Sequence, residues 1–593
     1  MHSIFCLIAA TAVHAIGNGS ALFYTENADI IDMYGPGYST PPIGRMVVAE
    51  PASGLECSAT RIEKTNTFVT SVESPSGRAV MTDAVDPEYD VFVREFETSF
   101  PIRYELANFP NLKRYRFSDS LCIVTPVSTP YNGQLLASAK ESRLYLTVDG
   151  DAELADNGVL LHPGKGRIVI TLTNPVEGEG NLAFAAKRAG EVFARSASYW
   201  NGFFGEGEAV RSAIDPAHPL HDEIVRTLYS VPALIHAQQS RSGGVMAGRY
   251  YPMAYIRDQA GVLKGLLAMG YASAAEKIVR FWLGRFERFG DLVTAEVMNG
   301  EEGRMIFNDD VEGPSYIMES VFELAKVRPE ILAECKPMLD WALKAQLRQL
   351  HKGMTCFSGD ETYVAGAILQ RAYLYHGSSD STGRFIRTAE RYIELFGGDG
   401  ELREKVAEAR ALFRENFVRD GIVCVNQPWR MEGLEFPRWQ DGVCIRCWYD
   451  GSYGRLKTLE YDPVSGYHVC PDCFGKPIAN LPEIEMVALP CVSLMTGFVD
   501  GGFVTEEEFR SAAGNSTLDP RAHTGYDFAM RLNALARAGL DTASALAGMM
   551  SARDADGAWC EYYRDGKQSG CPCRPWESAL NCEAMLNTPG VKR

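Results

Sequence analysis

Three acidic positions, each between segments of helical periodicity, are the residues of this chain best suited to chemistry. Arg257 and Asp258 lie in YIRDQAG, Glu361 in SGDETY and Glu561 in WCEYYRDG. Two carboxyl groups on separate loops of one scaffold can divide acid–base work, because one protonates a leaving oxygen while the other activates a water. Cleavage of a glycosidic bond needs such a pair, so these positions favour a carbohydrate-cleaving enzyme.

Each acidic position also has a plainer structural interpretation. Asp258 stands where an aspartate commonly caps a helix. Asp360 or Glu361 ends a polar loop, where either carboxylate would stabilise a helix N-terminus electrostatically. Glu561 could lie on the exposed edge of an amphipathic segment. The local pattern leaves these interpretations open beside the catalytic one.

Several neighbouring residues could hold a sugar. Tyr255 adjoins the Arg–Asp pair, and such a cluster combines a ring face with bidentate hydrogen-bonding groups. Asp309 and Asp310, in FNDDVEG, form a further acidic pair, which is also an alternative to Glu361 as the acid. The candidate substrate-binding residues are Tyr255, Arg257, Asp258, Asp309, Asp310, Asp360, Trp559 and Trp576.

Composition limits the class of partner. The 593 residues carry a net charge of −18, which disfavours nucleic acid and anionic membrane surfaces and suits a neutral oligosaccharide or polysaccharide. No stretch reaches the roughly 18 consecutive apolar residues of a transmembrane helix. The nucleophile-elbow, P-loop, dinucleotide-binding and H-E-x-x-H motifs are absent from the sequence. No cofactor is therefore expected for catalysis.

The first residues and the cysteines bear on location. MHSIFCLIAATAVHA contains a short apolar run and a Val13-x-Ala15 ending that a signal peptidase accepts, but it has no positively charged start. Fifteen cysteines are scattered without a dense framework. We expect a cytoplasmic protein, with secretion as the alternative if residues 1–15 are a signal peptide.

The texture of the sequence changes along the chain. Residues 16–181 contain at least seven short alternating or β-branched runs, which predict an antiparallel β-sandwich. Residues 182–217 indicate a helical linker. From 218 to 593 the periodicity is helical, and twelve amphipathic segments suggest six hairpins closed into an (α/α)6 barrel, with an open solenoid as the alternative. The predicted helices cover 221–238, 258–271, 273–288, 315–328, 330–350, 362–376, 382–396, 400–417, 482–498, 523–539, 541–551 and 575–586.

An insertion interrupts the helical pattern at about 421–480. It contains two C-x-x-C pairs separated by 22 residues, a spacing that suits a tetrahedral zinc ion. A structural zinc and a set of reduced, packed cysteines are both consistent with this pattern. The four cysteines are Cys444, Cys447, Cys470 and Cys473.

Together these features resemble the glucoamylase family and its wider clan of six-hairpin glycosidases. The opening segment, HAIGNGSALFYTENADIIDMYGPGY, is similar to the start of bacterial members, and the resemblance extends over about 14–588. YIRDQAG resembles the family's aromatic-x-Arg-Asp motif, which implies that Arg257 and Asp258 hold the terminal sugar.

The resemblance also implies the catalytic pair. Glu361 falls between the fifth and sixth predicted helices, where the family places its general acid, although SGDETY lacks the usual Trp-Glu and leaves Asp360 as the alternative. Glu561 falls at the position of the general base, and the following WESA segment is similar to the family's Trp-Ser-x-Ala. The family inverts configuration at a chain end.

The implied activity is therefore an inverting exo-acting hydrolysis that releases a terminal sugar, glucose first, from α-linked chains. Related six-hairpin families act on mannosides or rhamnosides, and some are phosphorylases, so these remain alternatives. A carbohydrate-binding protein without catalytic activity is the alternative from another class.

Overall fold

The computed structural model describes most of the chain, with gaps. The described residues are 12–39, 42–107, 113–117, 120–124, 128–131, 134–137, 142–174, 178–299, 303–305, 312–355, 357–358, 373–374, 378–419, 422–423, 460–462, 467–469, 502–518 and 522–593.

Antiparallel strands make up the N-terminal part. They are β1 Val13–Gly17, β2 Leu22–Glu26, β3 Asp29–Tyr34, β4 Gly44–Glu50, β5 Glu56–Arg61, β6 Phe68–Ser74, β7 Gly77–Val85, β8 Val91–Thr98, β9 Ile102–Ala107, β10 Lys113–Phe117, β11 Ser120–Val124, β12 Ser128–Tyr131, β13 Gln134–Ala137, β14 Arg143–Ala155 and β15 Gly158–Thr173. These strands confirm the prediction of at least seven strands in this part of the chain.

One long strand joins two halves of this sheet. The first residues of β15 pair with β9 and continue into β4, β3, β2 and β1, whereas its later residues pair with β8 and continue into β7, β6 and β5. Phe23 of β2 stacks on Phe92 of β8 with 4.6 Å between ring centroids, and side chains of both halves share one apolar core. The two halves of this antiparallel sheet therefore contribute to one core, which is consistent with the predicted sandwich.

The remainder of the described chain is mainly helical. The helices are α1 Glu179–Arg188, α2 Val192–Gly205, α3 Glu208–Ser212, α4 His221–Gln238, α5 Ile256–Ala268, α6 Ala272–Phe289, α7 Glu312–Ala325, α8 Ile331–Glu334, α9 Lys336–Arg348, α10 Ser379–Phe396, α11 Gly400–Phe417, α12 Glu506–Asn515, α13 Asp527–Arg537, α14 Ala543–Ser551 and α15 Pro575–Asn587. None of them is both long and apolar enough to cross a membrane.

Short strands lie between the helices. They are β16 Ala254–Tyr255, β17 Ala295–Glu296, β18 Arg304–Met305, β19 Leu350–His351, β20 Met354–Thr355, β21 Phe357–Ser358, β22 Tyr373–Leu374, β23 Val418–Arg419, β24 Ile422–Val423, β25 Glu460–Asp462, β26 Tyr467–Val469, β27 Ala522–Thr524, β28 Tyr562–Arg564 and β29 Lys567–Ser569.

Most helix predictions agree with the structure to within a few residues. The predicted helix 330–350 is two helices, α8 and α9, because the helix is interrupted at Cys335, ahead of Pro337. The end of predicted helix 362–376 is wrong, since Tyr373–Leu374 is a strand paired with Phe357–Ser358. The rest of that helix and the helix at 482–498 lie outside the described residues.

Five helices lie side by side in the order α13, α15, α5, α7 and α10, with α4, α6, α9, α11 and α14 packed against them. Gly261 and Gly265 of α5 permit a close contact with α15. A Cβ on Gly261 would stand 2.2 Å from Trp576, and one on Gly265 would stand 2.5 Å from the Ala579 carbonyl oxygen. The backbones of α5 and α15 therefore approach each other over small residues. The arrangement is consistent with part of a helical barrel, and closure into six hairpins stays a prediction.

Buried polar contacts join the sandwich to the helices. Arg61 of β5 donates to Asp556 at 2.6 Å and to the Ser230 carbonyl oxygen at 3.1 Å. Tyr24 of β2 donates to Gln238 of α4 at 2.7 Å.

Strand β1 is buried in the sheet, so cleavage after Ala15 would remove part of it.

The close helix contact yields a stability prediction. Gly265→Ala places a methyl group against the Ala579 carbonyl, and we expect the free energy of unfolding to fall by about 1–3 kcal/mol through overpacking. Gly284→Ala, on the exposed side of α6, is the matched control because nothing lies within 4 Å of its Cβ. The control should be neutral or more stable by up to about 1 kcal/mol, since alanine favours a helix.

Urea denaturation monitored by circular dichroism measures both variants. Equal effects of the two substitutions would contradict the claim that α5 and α15 are in close contact at Gly265.

Candidate active site

Arg574 lies at the centre of a buried charge cluster where three chain segments meet. It precedes α15, whose first residue is Pro575, and only 5% of it is exposed. Its Nε and one terminal nitrogen donate to the two carboxylate oxygens of Glu577 at 2.8 and 3.1 Å. The same terminal nitrogen donates to Asp258 at 3.1 Å, and the other donates to the Ala247 carbonyl at 2.6 Å. One guanidinium thus connects α15 to the start of α5.

Helix α5 supplies the Arg–Asp pair. Asp258 lies in the first turn, where the helix dipole favours a carboxylate, and it is almost completely buried. Arg257 is close to it, with 3.8 Å between Nε and the nearer carboxylate oxygen. The Arg257 guanidinium also lies over the Trp576 ring, 5.2 Å from its centroid. The predicted substrate-binding residues Arg257, Asp258 and Trp576 are therefore neighbours.

Glu561 directly precedes a tight β-hairpin, β28–β29. The chain turns at Asp565-Gly566, both with positive φ, and this allows β28 and β29 to pair directly after Glu561. The Cys571 amide N–H donates to Glu561 Oε2 at 3.2 Å, and the Glu561 amide donates back to the Cys571 carbonyl at 3.1 Å. Glu561 is half-buried, and the Cys571 amide orients its carboxylate.

The charges of the cluster act on each other. Burial, followed by the charges of Asp258 and Glu561, raises the pKa of Glu577 to about 7 despite the opposing effect of Arg574. The carboxylates Glu577, Glu561 and Asp258 in turn hold the pKa of Arg574 above its usual range, against the effect of burial. Glu561 is bonded to Cys571, three residues before Arg574, so its carboxylate lies beside the same cluster.

Aromatic rings surround the charges. The rings of Tyr526 and Trp576 lie 4.8 Å apart, and the Arg574 guanidinium lies 5.5 Å from the centroid of Tyr251. Tyr251 meets the half-buried Tyr255 edge to face at 6.4 Å. Such a wall can pack against a sugar ring while the polar groups bind its hydroxyls.

The structure separates one predicted residue from this group. Trp559 has no exposed surface, belongs to the helical core and donates its indole N–H to the Met549 carbonyl at 2.9 Å. It packs the hairpin against α14, and we do not include it in the proposed substrate site. The other four predicted residues, Asp309, Asp310, Asp360 and Glu361, lie outside the described residues.

The cysteines of the zinc prediction also lie outside the described residues. Between residues 423 and 502 the structure describes only two short strands, β25 and β26. Neither strand contains any of the four cysteines, Cys444, Cys447, Cys470 and Cys473. Within the described ranges no group of three or more histidine, cysteine or acidic side chains is arranged to hold a metal ion. The zinc site stays a prediction.

Arg574 and Glu577 were missed as site residues. The sequence carries a signal for them, because an arginine and a glutamate three residues apart open the apolar helix PWESALNCEAML. Charged residues in such a helix start are buried only when they are paired. The pattern predicts the pair itself, but the partner Asp258 lies 316 residues earlier in the chain.

A separate cavity of about 440 Å³ lies farther along the same helices and is lined mainly by charged side chains. Lys264 lines it from α5, seven residues beyond Arg257, which corresponds to about 10 Å of helix. Of the sequence-predicted site residues that the structure describes, none lines this cavity. It is therefore distinct from the cluster around Arg574.

Comparisons with known proteins support the fold. No family model and no curated protein sequence matches the chain. Among solved structures, a bacterial glucoamylase complexed with acarbose matches with a TM-score of 0.58 and 10% identity, over 98% of this chain and 95% of the other.

Two further structures match less well. A rhamnosidase from Klebsiella oxytoca with rhamnose bound has a TM-score of 0.40 and 12% identity, over 82% of this chain and 91% of its own. A mannosylglycerate hydrolase from Thermus thermophilus has a TM-score of 0.35 and 13% identity, over 62% of this chain and 99% of its own. The fold assignment rests on the first match. The chain therefore has a glucoamylase-like fold, as the resemblance of its sequence implies.

Proposed function

We propose that this protein is an inverting exo-acting glycoside hydrolase that releases a terminal sugar, glucose, from α-linked oligosaccharides or polysaccharides. The observation that carries the proposal is the meeting of Asp258, Arg257 and Glu561 around Arg574 within a glucoamylase-like fold. The Arg257–Asp258 pair in the first turn of α5 thus lies near a half-buried carboxylate, that of Glu561, which precedes the β28–β29 hairpin.

The terminal sugar binds at Arg257 and Asp258. A carboxylate accepts hydrogen bonds from two adjacent hydroxyls, and a guanidinium donates to hydroxyl or ring oxygens. Trp576, which lies against Arg257, and Tyr251, which lies against Arg574, give apolar faces beside these groups. Because Asp258 is held by Arg574, it is already oriented before substrate arrives, which reduces the entropy lost on binding.

Glu561 acts as the general base. The Cys571 amide fixes one carboxylate oxygen, and the second oxygen can take the proton of a water that attacks the anomeric carbon. The half-buried position admits this water while the aromatic wall limits bulk solvent. Glu361 supplies the leaving-group proton from the opposite face, with Asp360 as the alternative acid. In an inverting enzyme these carboxyl groups stand about 6.5–9.5 Å apart.

The stereochemistry of the product tests the reaction class. Proton NMR of the purified protein with α- and β-linked gluco-, manno- and rhamno-oligosaccharides should show release of β-glucose from an α-glucoside, because water attacks opposite the leaving group. Release of α-glucose would contradict inversion. Turnover only in the presence of phosphate would indicate a phosphorylase, and binding without turnover would indicate a carbohydrate-binding protein.

Removal of the base should abolish hydrolysis. Glu561→Gln keeps the shape of the side chain but cannot accept the proton of water, and we expect kcat to fall by about 10²–10⁴-fold with little change in the free energy of unfolding. Glu404→Gln, at an exposed position on α11, is the matched control and should leave kcat unchanged. A Glu561 variant with normal kcat would assign the base to another residue.

A substrate that needs no acid then separates the two roles. Fluoride leaves α-glucosyl fluoride without protonation, so Glu361→Gln should retain turnover of this substrate and lose turnover of maltose. Glu561→Gln should lose both. If Asp360→Asn shows this pattern and Glu361→Gln does not, Asp360 is the acid.

A further inference from the structure

We propose that Glu577 is a positioning residue: through Arg574, it fixes Asp258 in the orientation that binds the terminal sugar. The inference rests on the proposed function and adds to it a residue that no motif of the resemblance assigns, since the family-like segment has serine where this chain has Glu577.

Glu577 acts on substrate binding indirectly, through Arg574. Only 1% of it is exposed, so it cannot contact a sugar itself. Both of its oxygens are bound by Arg574, a side-on arrangement that holds the guanidinium plane in one orientation. A terminal guanidinium nitrogen has two N–H groups, and here one serves Glu577 and the other serves Asp258. The direction of the Asp258 contact is thus set by Glu577.

Packing holds Glu577 in turn. A Cβ on Gly525 would lie 3.0 Å from Glu577 Cγ and 2.0 Å from the Cys560 carbonyl, so the chain at Gly525 is pressed against both. The Asn581 amide, one turn along α15, donates to the Gly525 carbonyl at 2.9 Å. The neighbouring Trp576 is packed against Gly261 of α5. Glu577 therefore has little freedom to move away from Arg574.

The charge balance makes this contact depend on pH. Arg574 is faced by three carboxylates, those of Glu577, Asp258 and Glu561. Burial also raises the pKa of Cys560, Tyr562 and Tyr563, and the charge of Glu577 contributes to each of these shifts. Because the pKa of Glu577 is raised to about 7, its carboxyl is mostly neutral at pH 5.5 and mostly ionised at pH 8.5. A neutral carboxyl resembles a glutamine, in that only part of the paired contact with Arg574 is kept.

The variant Glu577→Gln tests the role at both pH values. At pH 8.5 we expect KM for maltose to rise by about tenfold with kcat changed by less than about threefold, because one charged contact that orients Asp258 is lost. At pH 5.5 the variant should resemble the wild type. A purely structural role of Glu577 would give the same ratio of variant to wild type at both pH values, and that result would overturn the proposal.

A double-mutant cycle tests whether the effect passes through Asp258. If it does, Asp258→Asn and Glu577→Gln together should raise KM little more than Asp258→Asn alone at pH 8.5. Additive effects would overturn the proposal. Glu583→Gln, six residues along α15 and lining the separate cavity, is the matched control and should leave KM unchanged. If Glu577→Gln does not fold, Glu577→Asp, which keeps the charge but shortens the reach, replaces it in the cycle.

Calorimetric titration with glucose separates this inference from the proposed function. If the wild type binds glucose without hydrolysing any oligosaccharide, the proposed reaction fails, and the affinities of wild type and Glu577→Gln at the two pH values still decide the role of Glu577. If the wild type neither binds nor hydrolyses a sugar, both proposals are overturned.

Discussion

The arrangement of the candidate site depends on one buried guanidinium. Arg574 is bonded to Asp258 and Glu577 and lies in the field of Glu561, and these residues come from α5, α15 and the segment that leads into the β28–β29 hairpin. Carboxylates buried without a positive partner would be strongly unfavourable, so the segments can come together only around this cation. The same residue therefore serves the fold and the chemistry, which explains why charges are retained at the contact between helices.

Backbone geometry is the second constraint. Helices α5 and α15 meet over Gly261 and Gly265, where no larger side chain fits. Because of this close approach, the first turns of both helices lie side by side, and Asp258 and Arg574 are within hydrogen-bonding distance. The helix starts also direct the positive end of the helix dipole toward the cluster, which favours carboxylates there.

A site built in this way separates rigid from exposed parts. Asp258 and Glu577 are buried and fixed, whereas Glu561 stays half-buried beside a hairpin whose tight turn depends on Asp565 and Gly566. Gripping a sugar benefits from rigid, preorganised groups, while activating a water requires access to solvent. The division of burial among three carboxylates of one cluster matches the division of tasks in the proposed reaction.

The sequence by itself determined the order and kind of elements, because alternating and helical periodicities arise from local geometry. It also marked Arg257, Asp258, Glu561 and Trp576, since each stands in a short distinctive segment. Only the tertiary structure decided that Trp559 is a core residue and that Arg574 joins Asp258 across 316 positions. Burial and pairing between distant segments depend on how helices pack in three dimensions, and no local pattern in the chain carries that information.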